Sequence, residues 1–252
     1  QNPEAYGGDH VKAHHRRRIF TTSADPDAAF ILSVGLKPGM SRGDLRRRFF
    51  STMVSPRFHL RFIAARLKSA LLEASWSHRL VASAYLTGLV AASLALPWWV
   101  SLLALWLPLG LLYAISALIQ FVTEHRWMIT PEGPVDARDY ADRCAGRFCG
   151  EAFPRTVEGQ VGSLIPILAW SLRMIFLHLP LRLGSIVGDL PAHDAHHLYA
   201  DAHLNAETPD DLIFDRQASI DAGDPVGFAN RELWGLGAML EWVFEGLETA
   251  RR

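Results

Sequence analysis

Cysteine is scarce in this chain: 252 residues hold two, Cys144 and Cys149. Two thiols at C-x4-C spacing make no disulfide framework and lack the further ligands of a zinc site. They read as reduced thiols, which fits a cytosolic setting. Charge is missing altogether from residues 80–122, a run of 43 without Asp, Glu, Lys or Arg. A soluble domain has no need of such a run. No leader is visible either: the sequence opens on Gln1 without a basic-then-apolar signal segment. The reading therefore expects an N-terminally truncated fragment. No internal repeat or low-complexity run is visible.

What charge there is lies unevenly. Residues 1–79 carry 14 Lys+Arg against 6 Asp+Glu, and residues 80–252 carry 11 against 20. A basic segment beside a membrane fits this better than nucleic-acid binding, which is excluded as the natural reading. The uncharged run is too long for one span of about 20 residues. Pro97-Trp98-Trp99 divides it into residues 80–96 and 98–122, a transmembrane hairpin with its second limb kinked at Pro108. Arg46, Arg47, Arg48, Arg57, Arg61, Arg66, Lys68 and Arg79 precede it, so the positive-inside rule places residues 1–79 and everything after the hairpin in the cytoplasm. A third apolar stretch, 161–183, contains Arg173, His178 and two prolines, and reads as an interfacial or re-entrant helix. Residues 44–72 read as a basic amphipathic helix on the inner leaflet, broken at Pro56, and 230–247 as a terminal helix. The expected fold is all-α. A membrane hairpin (80–122) joins a cytosolic N-terminal part (1–79) to a cytosolic helical cap (123–252) carrying a histidine-rich metal site.

Eleven histidines are present, and seven fall in three places. The first is Asp9-His10-Val11-Lys12-Ala13-His14-His15. The second is Glu124-His125, at the end of the second span. The third is His193-Asp194-Ala195-His196-His197. Positions i, i+3 and i+4 share a helical face, so His193, His196 and His197 can point one way. Neutral imidazole binds iron, copper, nickel and zinc, and seven exceed what one tetrahedral zinc uses. Metal ligands are therefore expected at His10, His14, His15, His125, His193, His196 and His197. Asp9, Glu124 and Asp194 are candidates to hold the second ring nitrogen of a ligand. His59, His78, His178 and His203 read as ordinary histidines, and Arg16-Arg17-Arg18 as a membrane-proximal anchor.

These motifs resemble the histidine boxes of the membrane fatty acid desaturase superfamily, which includes the alkane monooxygenases. His10-x3-His14-His15 is similar to the middle box, and Thr21-Thr22-Ser23-Ala24-Asp25-Pro26-Asp27 to the polar continuation that follows it. His125 is similar to the isolated ligand, and His193-x2-His196-His197 to the last box. The family's first HxxxH box is absent, and nothing before His10 supplies it. The resemblance implies two non-haem iron ions, dioxygen as co-substrate, and a ferredoxin, rubredoxin or cytochrome as electron donor. The substrate would be a membrane lipid or acyl chain, and no catalytic residue beyond the metal ligands is implied. It implies a lipid desaturase first and a lipid or alkane hydroxylase second. A membrane zinc hydrolase or a non-catalytic metal-binding scaffold are the readings from other classes.

Overall fold

The computed structural model describes residues 14–129, 135–154, 164–185, 190–198 and 209–250. Helix starts follow capping chemistry. Asp25 accepts the Asp27 N–H at 2.9 Å, and Pro26 opens α1 (Pro26–Ser33). Ser41 accepts the Asp44 N–H at the head of α2 (Arg42–Met53). Proline at position 56 bars Ser55 from the helical region, so the basic helix expected over 44–72 breaks there, as the sequence predicts, and α3 (Pro56–Lys68) starts afresh. After a π turn (Ser69–Glu73) comes α4 (Trp76–Ala95), then Pro97, then α5 (Trp98–Thr123). Within α5 the stretch Leu102–Leu112 is π-helical, because Pro108 has no N–H to donate and Tyr113 N–H reaches back five residues to its carbonyl.

Further along come α6 (Ala137–Asp142) and β1 (Gly146–Phe148), then α7 (Leu164–Gly184), α8 (His193–Leu198) and α9 (Pro209–Asp221). The chain closes with β2 (Glu232–Trp234) and α10 (Gly235–Thr249). The protein is mostly helical. Its departure from all-α is a short parallel ladder, with Gly146 opposite Glu232 and Phe148 opposite Trp234. The Phe148 and Trp234 rings stack at 4.5 Å. Gly235, at φ +83°, turns the chain from ladder to helix, which is why the terminal helix starts later than the apolar spacing over 230–247 predicts.

Among the described residues, two helices are long and apolar enough to cross a membrane: α5, 26 residues, and α7, 21 residues. The second of these is the stretch read from sequence as interfacial. The helix before α5, expected as the first limb of the hairpin, is less apolar. His78 and Arg79 sit in its first turn, and Thr87 and Ser93 return their hydroxyls to its own carbonyls. Buried and bare halves divide α5. No residue of Leu102–Leu112 is buried, whereas Ala114, Leu118, Ile119, Val122 and Thr123 are. The buried half enters the main core, against Trp127 and against Met239, Val243, Phe244 and Leu247 of α10. From the other side α2 adds Leu45 and Phe49 to that core, and Arg42 and Arg46 ion-pair with Glu248 and Glu241 at its rim.

One carboxylate ties α7 to this body. Arg173 Nε donates to both oxygens of Glu151, at 2.9 and 2.8 Å, and His178 Nε2 lies 3.0 Å from the same group. Trp170 Nε1 donates to the Glu151 carbonyl. Arg173 first, then His178, holds the Glu151 carboxyl down to about 2. A depressed carboxylate stabilises above its ordinary range, and this one lets go only as pH falls through about 2. Glu151→Gln is expected to speed backbone hydrogen exchange along α7 at pH 7, while the unaltered protein stays protected in mild acid. Equal exchange in the two proteins would show that α7 is held by other contacts.

Candidate metal centre

His14, His15, His125, His193, His196 and His197 gather in one place. His10 and Asp9 lie outside the described residues. Three segments deliver the six. His14 and His15 stand two turns before α1. His125 follows directly from the buried end of α5, and α8 presents the other three. His14 Nε2 is 2.8 Å from His125 Nε2, which is 3.3 Å from His193 Nε2. The rings of His15 and His197 stack at 4.3 Å, and His196 meets His15 edge-on at 4.6 Å. Two overlapping ligand groups result, His14/His125/His197 and His15/His196/His197, each with donor atoms within 4.8 Å of one another. Glu124 joins His125 and His193 in a third.

Hydrogen bonds fix how the rings present themselves. Asp25 is fully buried, and both its oxygens lie 3.0 Å from His14 Nδ1. The backbone N–H groups of Thr21 and Asp27 hold that carboxylate. His14 Nδ1–H therefore donates outward, and its Nε2 lone pair faces the cluster. Tyr140 does the same for His197. Its hydroxyl donates to the His15 carbonyl, so the His197 Nδ1–H, 3.1 Å away, donates to its oxygen. His197 Nε2 is then a buried lone pair with no hydrogen-bond partner, and His125 Nδ1 likewise has none. Phe20, wholly buried, sits edge-on or tilted against His14, His125 and His197 and keeps water out.

Burial drives His125 and His197 well below the ordinary imidazole range, and the neighbouring imidazoles push the same way. Both are neutral at pH 7, the form that binds metal. Burial opposes protonation of His14 as well, but the hydrogen bond and charge of Asp25 outweigh it and raise this one ring. Uncharged lone pairs less than 3 Å apart repel unless a proton or a cation lies between them. A donor set of imidazoles, an aligned carboxylate and orphaned buried nitrogens fits a metal ion.

One expectation about the carboxylates beside the ligands changes. Asp194 holds no imidazole. Its oxygens take Arg216 Nε at 2.9 Å and Nη2 at 3.1 Å, and the Ala195 N–H. One residue beyond His193 on a helix, its side chain points about 100° away, toward α9. Glu124 stands with the ligand group of His125 and His193. Asp25 and Tyr140 were missed as partners of the ligands. The Asp25-Pro26-Asp27 run was the one available signal for the first, and nothing local marks the second.

The chain matches no protein-family model, no curated protein and no solved structure. Asp25→Asn should weaken Zn²⁺ or Fe²⁺ binding roughly 10–100-fold, read by titration calorimetry. His197→Ala should weaken it more, since that imidazole lies within reach of both ligand groups. Tyr140→Phe should fall between Asp25→Asn and no effect. Unchanged affinity in the first two would remove the cluster as a metal site.

Proposed function

We propose that the chain is a membrane oxidoreductase of the fatty acid desaturase type, which uses dioxygen and two electrons to place a double bond in an acyl chain. The carrying observation is the convergence of all six described box histidines beside the buried end of an apolar helix. The order and spacing of the boxes resemble that superfamily. Iron, the cytoplasmic side and the electron donor are parts of this reading, with a ferredoxin, rubredoxin or cytochrome as the donor class. Balance requires that –CH2–CH2– plus O2, two electrons and two protons give –CH=CH– plus two waters.

Two non-haem iron ions, when bound, supply dioxygen activation strong enough to break an unactivated C–H bond. His14 and His125, with His193 and Glu124, would hold one, and His15 and His196 the other, with the single open nitrogen of His197 within reach of both groups but able to join only one. The chain's own residues prepare the place. Asp25 and Tyr140 lock two rings in the metal-binding tautomer. Arg216 fixes α8 through Asp194 and, through Nη1, reaches Glu232 on β2. Phe20 and Trp127 seal the core side, which guards a reactive centre from stray protons. The bare half of α5 offers an acyl chain a route that never crosses water.

Placement of the substrate carbon decides between a second hydrogen abstraction and hydroxylation, so a hydroxylase is the neighbouring outcome. Expression in a lipid-producing host, with fatty acids profiled under air and under argon, tests the reading. A new unsaturated product only under air, lost in His196→Ala/His197→Ala, and iron above one ion per chain are expected. Stoichiometric zinc with no oxygen-dependent product would support a hydrolase, and no metal at all a scaffold. Either result overturns the proposal.

A further inference from the structure

A cleft of about 830 Å³ opens between α1, α2 and α3, and no histidine or carboxylate lines it. Arg48, Arg57, Arg61 and Arg66 do, with Phe30 and Phe58 as apolar wall. Most of the remaining cations on these helices are neutralised. Arg42 and Arg46 meet Glu248 and Glu241, Arg47 meets Asp44, and Lys68 meets Glu73. Arg57 and Arg61 have no ion-pair partner among the described residues. Arg48 is pinned in place by its Nε, which donates to the Val34 carbonyl at 2.7 Å. The hydroxyls of Ser51, Ser55 and Thr52 share the cleft.

The position of the cleft narrows the ligand. Phe62, on the same wall, meets the Tyr113 ring of α5 at 5.4 Å, and the backbone at Gly110 lies beside Ile63. One flank of α3 therefore rests on the helix that is long and apolar enough to span a bilayer, while the other presents Arg57 and Arg61. We infer that the cleft binds the phosphate headgroup of an anionic phospholipid, with the phenyl rings against the first part of its acyl chains. Planar guanidinium groups match phosphate oxygens two by two. The volume is in the usual range of small-molecule sites, about 300–1,000 Å³. A soluble phosphate ester would use the same arginines but leave the aromatic wall and the adjoining apolar helix without a role. The inference does not depend on the chemistry at the histidines.

The test titrates short-chain phosphatidylglycerol into the full chain in a non-ionic detergent and follows binding by native mass spectrometry and tryptophan fluorescence. Saturable one-to-one binding is expected, with phosphatidylcholine of equal chain length weaker by roughly ten-fold or more. Arg57→Gln/Arg61→Gln should lose phosphatidylglycerol by a similar factor, with metal content unchanged. Arg57→Lys/Arg61→Lys should keep part of the binding. Equal affinity for the two lipids, or no loss in the glutamine double variant, would overturn the site. Inorganic phosphate bound as tightly as the lipid would overturn the lipid assignment in favour of a soluble ester. The comparison of headgroups on the unaltered chain stands even if a double variant fails to fold.

Discussion

Packing of the last three turns of α5 against α10 and Trp127 is the contact on which the rest of the molecule depends. Leu118 and Val122 are fully enclosed there by Val243, Phe244 and Leu247. Three residues beyond Val122 the chain delivers His125, the imidazole that both His14 and His193 approach. Full burial of aliphatic and aromatic side chains in this core stabilises by about 1.5–3 kcal/mol each, more than a typical hydrogen bond between neutral groups, about 0.5–1.5 kcal/mol. The polar cluster is thus held open by apolar packing next to it. The Trp127 indole N–H, bonded to the Val122 carbonyl, stops the helix and turns the chain under the site.

Electrostatics then fixes the protonation pattern. Buried imidazoles cannot share a small space while charged, so His125 and His197 stay neutral. The fully buried carboxylate against His14 is Asp25, held by two backbone N–H groups as well as by that ring. Arg216 and Asp194 form a separate buried pair whose cost of desolvation is met by further bonds to Glu232 and to the Phe228 carbonyl. That pair positions α8 from behind without adding charge at the rings.

Much of this was legible in the residues, and the parts that were not share a cause. The apolar run and its Pro97 break, the split at Pro56, and the helical face of His193, His196 and His197 are local properties, written in periodicity and punctuation. Partners across the fold are not. Tyr140 and His197 are 57 positions apart, and only the fold brings them together. Asp194 was misread for the opposite reason: adjacency in sequence to His193 was taken for adjacency in space, though a helix turns neighbours apart. The β1–β2 ladder, three residues a side, is too short to leave an alternating pattern. The charge and histidine inside α7 suggest a helix that stays at a surface; what the sequence does not mark is their shared partner, the Glu151 carboxylate, more than twenty positions away.

The span of chain between the histidines has a consequence in time. His14 and His125 are 111 positions apart and His125 and His193 a further 68. At about 5–20 residues per second, a ribosome finishes the last box roughly ten to forty seconds after the first. The parallel ladder that ties β1 to β2 waits longer still, until residue 234 has emerged. During that interval the early imidazoles lack their later partners, and loose nitrogen donors of this kind follow the ordinary affinity order, copper and zinc above iron. Any preference for one cation over another is therefore tied to late closure, because the histidine cluster acquires its shape only when α8 docks.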